Sequence, residues 1–329
     1  MEPCFKRFGP KEVIEWFGDK GVSIKKEADG RMFPSSNNSQ TIIDCFESER
    51  KKYGIALLTS TKLTSISLVQ NQWEISANDT TIIAKKLLIA TGSDKHIWEL
   101  LEQLSLEIVP PVPSLFTFQL ADEQLKALAG VALEHTKVTY GILTTSGPTL
   151  ITHWGVSGPA ILKMSAFAAR QFAQKNYHFK VFIDWCQEWS KEDIAAWVKE
   201  KQETAPKKRV RNDIPALIPK RFWEYLCTKS NVSEFQNWSE TGKKHIKNLT
   251  ENIKNMPLEA NGKTTFKEEF VTAGGIDLNE ISQTTFEVQK IPNLYLAGEV
   301  LNIDAITGGF NFQAAWTGGW HVGQSVAGL

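Results

Sequence analysis

Three stretches of this 329-residue chain combine residue types and spacings that can do chemistry. In the longest, Leu294-Tyr295-Leu296-Ala297 is an apolar run that reads as a buried strand and delivers Gly298 and Glu299 to its carboxyl end. Open parallel sheets bind ligands at that end. Glycine there lets a ligand lie on the backbone, and the Glu299 carboxylate can accept hydrogen bonds from sugar-like hydroxyls. Asp304 follows in the same loop, and Thr307-Gly308-Gly309-Phe310-Asn311 then opens a helix. The first amides of a helix have no partner inside it, so they favour an anionic group. The same residues read equally well as an ordinary strand, loop and helix in which glycine permits tight packing.

The second stretch is Thr152-His153-Trp154-Gly155-Val156-Ser157-Gly158-Pro159. His153 has the chemistry to donate to a substrate carbonyl or to act as a proton donor, or it is a structural or surface histidine. The pattern is G-x-S-G-P, not the G-x-S-x-G of a serine nucleophile, and it suits Gly-Pro opening a helix with Ser157 at or near the cap. The third is Gly30-Arg31-Met32-Phe33-Pro34, where Arg31 can pair with an anionic group or serve the fold.

Other chemistries are excluded by spacing. The six histidines never fall four apart, so no helical metal pair exists, and no metal site is expected. Cys4, Cys45, Cys186 and Cys227 form no C-x-x-C pair, and they read as reduced thiols of a cytoplasmic protein. The start lacks an apolar signal core, and no stretch approaches the roughly 18 apolar residues of a membrane span, so no membrane partner is expected. Lys plus Arg and Asp plus Glu both number 37, which leaves no global field to gather nucleic acid. A local cluster, Lys207-Lys208-Arg209-Val210-Arg211, resembles a nucleic-acid patch but reads as an exposed loop between helices, and a nucleic-acid partner is not expected. Trp16 and Trp98 occupy core positions of helical patterns and read as packing.

These stretches need elements to position them. Pro10 can open a helix that Gly18 or Gly21 ends, and a second helix runs from about Ser39 to Tyr53. From Ile55 to Gly92 come short β-rich runs: Ile55 to Leu58, Leu63 to Val69, Trp73 to Ile75, Thr80 to Ala84, and a buried run, Leu87-Leu88-Ile89-Ala90, stopped by Thr91-Gly92. Ser93 or Asp94 can cap the helix that follows. A buried strand, a glycine and a helix are α/β grammar. Pro110, Pro111 and Pro113 predict a hinge, because consecutive prolines resist helix and sheet interior. Strands are expected at Leu115 to Leu120, Lys137 to Leu143, Thr149 to Thr152 and Phe179 to Trp185, with a helix from Gly158-Pro159 to about Phe172. Helices follow from Ser190 to about Ile253, and strands return at Phe266 to Thr272 and Thr284 to Gln289. The expected organisation is therefore a discontinuous α/β domain, 1–113 and 266–329, interrupted by 114–265, β-rich over 114–189 and helical over 190–256.

Three quoted segments resemble the signature of a bacterial flavoprotein family: Val271-Thr272-Ala273-Gly274-Gly275-Ile276, Leu294 through Glu299, and Thr307 through Ala315. Gly30 to Pro34 and Thr152 to Leu162 match in the expected order. The family is that of NAD(P)/FAD-dependent oxidoreductases, or aminoacetone-oxidase-like proteins, some of which reduce dehydro bile acids. The resemblance implies a flavoprotein of the two-dinucleotide-binding-domain type: a Rossmann-like FAD domain with an inserted β-barrel-like domain carrying a helical subdomain. It implies FAD-mediated hydride transfer between NAD(P)H and a small organic substrate. It also implies Thr91 and Gly92 near the FAD, Glu299 or Asp304 near the ribitol, Gly308, Gly309, Phe310 and Asn311 at the isoalloxazine, and Leu63 near the adenine. Gly274 and Gly298 are further cofactor contacts by the same matches.

The chain departs from the family at two places. No two of its glycines are two positions apart, so the G-x-G-x-x-G phosphate loop is not in the sequence, and the expectation is an N-terminally truncated FAD domain. The competing expectation is a cofactor-free truncated paralogue or fragment that acts only as a binding or structural module. Ser93-Asp94-Lys95-His96 stands where relatives carry a glycine-rich loop, so contacts from that loop do not transfer.

Overall fold

The computed structural model describes every residue except Asp29, Asp79, 265–270, Thr307 and Leu329. The chain falls into two compact units, Met1–Pro111 with Val271–Leu329, and Val112–Phe270.

In the first unit, the Leu87–Ile89 strand pairs in parallel with Leu294–Leu296, in the register Leu87 to Leu294, Leu88 to Tyr295 and Ile89 to Leu296. All three residues of the later strand are buried, as a parallel strand's apolar run requires. An antiparallel meander, Leu63–Val69, Gln72–Ala77 and Thr80–Ala84, precedes the Leu87 strand. The Lys95–Gln103 helix follows it, capped by the Asp94 carboxylate, which accepts from the amides of His96 and Ile97. This helix buries Ile97, Trp98, Leu100 and Leu101 in a core shared with Trp73, Phe286, Leu294 and Leu296. Pro10 opens the Pro10–Gly18 helix, whose Val13 and Phe17 enter a smaller cluster with Phe8, Val22 and Cys45. The Gly308–Ala327 helix is tied to that N-terminal region: Thr317 Oγ1 donates to the Phe8 carbonyl at 2.8 Å, and Trp320 stacks on Phe8 at 5.1 Å.

The second unit is built on a closed six-stranded antiparallel barrel. Its strand order is Leu143–Ile151, Gly155–Ser157, Thr117–Leu120, Met256–Thr264, His178–Asp184 and Ala132–Tyr140, which closes on the first. Inward positions alternate, so Phe179, Val181 and Ile183 of one strand are buried while His178, Lys180 and Phe182 are exposed. Phe172 lies over this core, stacked on Phe179 at 3.6 Å and edge-on to Phe118 at 5.6 Å and Tyr140 at 4.8 Å. The helices Lys191–Thr204, Lys220–Lys229 and Lys243–Lys254 precede the Met256 strand.

The structure corrects several sequence expectations. Pro110, Pro111 and Pro113 do not form a hinge free of sheet structure; they sit inside the Ile108–Ser114 strand, which among the described residues pairs only with Val271–Ile276. A strand with one open edge tolerates residues that cannot donate. Ile55 to Leu58 forms no strand, and Ile55 and Leu58 are 57% and 61% exposed. Composition favours extension there, but among the described residues no neighbouring strand supplies a ladder. Thr284 to Gln289 is a chain of turns with isolated bridges, its amides at Thr284 and Thr285 bonded to Ser282 Oγ. The expected helix to Phe172 is two helices, Pro159–Phe167 and Ala169–Gln174, broken at Ala168. Of the strand expected at Phe266 to Thr272, 265–270 lie outside the described residues, and the strand seen is Val271–Ile276.

Truncating Phe172 to Ala should cost the chain about 3–5 kcal/mol through the cavity it opens among these rings. A fall in the urea midpoint of the barrel's transition, read by near-UV circular dichroism, checks this; an unchanged midpoint contradicts the packing described.

Candidate functional site

Because the two parallel strands are in register, their carboxyl ends emerge side by side. The Ala297 amide donates to the Ile89 carbonyl at 3.1 Å, so Ala90-Thr91-Gly92 and Ala297-Gly298-Glu299 leave the sheet at one edge. Gly92 and Gly298 turn the chain there with φ of +69° and +78°, a region L side chains rarely adopt. Gly298–Val300 is a single 3-10 turn whose Gly298 carbonyl accepts from the Leu301 amide at 3.1 Å. Trp98 Nε1 donates to the Val300 carbonyl at 2.9 Å. The helix that follows Thr91-Gly92 thus fixes the turn that follows the other strand. The sequence pattern put Trp98 in the core but carried no signal that its indole N–H has this partner.

Glu299 is the chemical centre of the arrangement. Its side chain is half-buried, it makes no hydrogen bond or ion pair with any described residue, and burial pushes its carboxyl above the usual carboxylate range. A carboxylate taken from water without donors is costly until hydroxyl or amide donors reach it. The Gly308–Ala327 helix packs beside the turn, a Cβ built on Gly298 falling 3.7 Å from that of Ala315. Gly309 faces open space, and Phe310 is directed edge-on to Phe5 at 5.5 Å, so the ring serves packing. Asn311 is buried and Asp304 half-buried. Thr307 lies outside the described residues.

Leu63 is brought to the same neighbourhood, because His96, in the first turn after Thr91-Gly92, donates from Nε2 to the Leu63 carbonyl at 3.0 Å. That carbonyl is committed inside the protein. Gly274 has φ +129°, and a Cβ there would lie 2.5 Å from Pro111 Cα and 2.7 Å from the Pro110 oxygen. Its glycine is explained by close packing on the proline strand. Arg31 is exposed on the Ile24–Lys26 and Met32–Pro34 hairpin, 5.4 Å from the Phe33 ring. His153 belongs to the other unit, exposed in the turn between Leu143–Ile151 and Gly155–Ser157. In that motif the Ser157 hydroxyl accepts from Thr117 at 2.8 Å, and Gly158 is the helix cap. Among the described residues no His, Cys, Asp and Glu group could hold a metal, all four cysteines are buried and free, and no helix is long and apolar enough to cross a membrane.

An unpartnered acceptor beside two glycine turns suits a ligand that donates hydrogen bonds. Comparison with known proteins gives the family. The profile described as "HI0933-like protein Rossmann domain" matches residues 1–325. The chain is 26% identical over 341 residues to the ribosomal RNA dihydrouridine synthase of Haemophilus influenzae, covering 99% of this chain and 82% of that protein. It is 26% identical over 332 residues to the Escherichia coli protein of the same name, covering 97% and 80%. It is 23% identical over 335 residues to the 3-dehydro-bile acid delta(4,6)-reductase of Clostridium scindens, covering 98% and 81%.

Two outcomes follow from the geometry. The folded chain holds the Glu299 proton at pH values where the unfolded chain has released it, so this group's effect on stability worsens as pH rises above the ordinary 4.5 and then levels off. Glu299→Gln should therefore unfold at higher denaturant than the parent at pH 7, with the gap closing near pH 4; a gap independent of pH contradicts the burial argument. Gly274→Ala should lose about 2–4 kcal/mol by backbone clash, measured by urea unfolding of the ligand-free protein.

Proposed function

The chain belongs to the HI0933-like Rossmann-domain family, and we propose that it is a flavin-dependent oxidoreductase that saturates a carbon–carbon double bond conjugated to a carbonyl. The observation that carries this reading is the orphaned, half-buried Glu299 at the shared carboxyl edge of two parallel strands. The substrate class rests on what the relatives' names have in common. Dihydrouridine is uridine saturated at the ring bond next to a carbonyl, and a delta(4,6)-reductase of a 3-oxo steroid removes double bonds conjugated to that oxo group.

When bound, FAD supplies the hydride relay from NAD(P)H to the alkene. The chain's residues do the rest. Glu299 or Asp304 would accept from the ribityl hydroxyls, while Thr91, Gly92 and Gly298 would give the cofactor backbone on which to lie. The amides of Gly308, Gly309, Phe310 and Asn311 would stabilise the charged N1/O2 edge, aided by the partial positive charge of a helix start. Leu63 would lie toward the adenine and Arg31 would hold an anionic group of the substrate. His153 is the proton-donor candidate for the carbon next to the carbonyl. The second reading, a module that binds without cofactor, is favoured by one observation: no two glycines of these 329 residues have the G-x-G spacing.

The test is a titration of the purified chain with FAD, followed by flavin fluorescence, and then NADH or NADPH oxidation with a steroid enone or a uridine-containing RNA as acceptor. Saturable FAD binding, weakened about 10-fold or more in Glu299→Gln, is expected, since hydrogen bonds to a charged group contribute about 1.5–3 kcal/mol. His153→Gln should lower turnover about 100-fold and leave FAD affinity unchanged. Failure to bind FAD at any concentration would sink the oxidoreductase and leave the binding module.

A further inference from the structure

The chain's neutral total conceals a local imbalance. Residues 205–247 carry ten Lys and Arg against four Asp and Glu. The geometry gathers part of this charge on one face. Pro206 to Val210 runs antiparallel to Gln236 to Ser239: the Val210 amide donates to the Gln236 carbonyl at 3.0 Å, the Trp238 amide to the Lys208 carbonyl at 3.1 Å and the Ser239 amide to the Pro206 carbonyl at 3.0 Å. This ladder sets the Arg209 guanidinium 4.8 Å from the centre of the Phe235 ring, which is 64% exposed. The Lys243–Lys254 helix starts just beyond, linked to the ladder by Gln236 Nε2 donating to His245 Nδ1 at 3.3 Å, and exposes Lys243, Lys244 and Lys247.

These cations are not neutralised within the protein. Lys208 is paired to Asp213 at 2.7 Å, and the Glu240 carboxylate is taken by the Asn237 amide at 3.0 Å. Among the described residues no carboxylate lies within 4.0 Å of the side-chain nitrogens of Lys207, Arg209, Lys243, Lys244 or Lys247. Two lysines in the first turn of a helix also oppose its dipole, an arrangement that costs stability unless an anion comes to it. An exposed aromatic ring with one face under a guanidinium leaves the other face for a flat partner, and such a platform within a cationic groove is how unpaired bases are held.

We propose that this face binds single-stranded RNA, with phosphates over Lys207, Lys243, Lys244 and Lys247 and an unpaired base stacked on Phe235 beside Arg209. The inference reverses the expectation of no nucleic-acid partner. It rests on the proposed function only in taking RNA as the carrier of the reducible ring, and it is measured without flavin or turnover, so the two readings can fail separately.

The experiment is fluorescence anisotropy of a labelled, uridine-rich single-stranded RNA with the full FAD-free chain across a salt series. Binding should weaken with salt, and Lys243→Glu with Lys244→Glu should reduce the slope of log K against log salt by about 1.4, at roughly 0.7 per phosphate contact. Phe235→Ala should lower affinity about 5- to 100-fold with the slope unchanged, and Phe235→Trp should restore it. All these positions are exposed, and far-UV circular dichroism confirms that each variant is folded. Unchanged affinity in the lysine variant overturns the proposal. So does heparin binding as tightly as RNA together with no effect of Phe235→Ala, which marks a generic polyanion surface.

Discussion

The three-residue parallel pairing of Leu87–Ile89 with Leu294–Leu296 is the contact on which the candidate site depends. Parallel strands cannot be joined by a tight turn, so the register has to be held by burial and not by a connection. Leu294, Tyr295 and Leu296 are all buried, so a slip of one residue would exchange leucine for tyrosine on both faces and mispack each of them. The register then determines everything at the carboxyl edge. It sets Ala297 against Ile89, aligns the Gly92 and Gly298 turns, and puts Val300 within reach of Trp98. Leu88 is exposed on the same short strand, so the pair is anchored from one face only at that position.

Glu299 illustrates why such an edge must be rigid. A flexible loop would let the carboxylate swing into water and relieve its desolvation. Here the 3-10 turn is bonded internally and held by an indole from another element, so the side chain stays half-buried without a donor. The stability lost at this residue is the counterpart of a preformed acceptor, and preorganisation of that kind lowers what a ligand must later order. Gly274 belongs to the same scaffold at one remove: its missing side chain lets the Val271–Ile276 strand lie against the proline strand. The Ile276 carbonyl in turn accepts the Asn302 amide at 2.8 Å, which fixes the loop beyond the turn.

How much of this was legible depended on whether the information was local. The apolar runs ending in Thr91-Gly92 and Gly298-Glu299, the Asp94 cap and the Pro10 helix start are written in adjacent residues, and each element forms where the pattern places it. Ile55 to Leu58 has the same β-rich texture, yet a strand is a relation between two segments, and composition cannot supply the partner. The prolines at 110, 111 and 113 misled for the mirror reason: a strand with one open edge can dispense with those donors, and edge position is a property of the whole sheet. In the site, the residue type of Glu299 was readable but its lack of donors was not. Gly274 was readable as a motif glycine, whereas its packing reason lies in Pro110 and Pro111. The link from Trp98 to Val300 spans most of the chain and left no trace in spacing.

The equal totals of positive and negative residues invite the conclusion that no polyanion is bound, but that conclusion does not follow from them. At physiological ionic strength exposed charges more than about 8 Å apart barely feel one another. A ligand at one face therefore senses the handful of groups within that distance and not the sum over 329 residues. Neutrality of the whole is compatible with a strong local potential whenever acids elsewhere balance it. What decides is whether the local cations are already paired. Lys208 is neutralised by Asp213 and Lys229 by Asp122, while Arg209 is directed at a ring and Lys243 and Lys244 crowd a helix start where their charge is unfavourable. Charge left unpaired at a cost, next to an exposed aromatic, is a more informative signal than net charge, and it emerges only when sequence neighbours are replaced by neighbours in space.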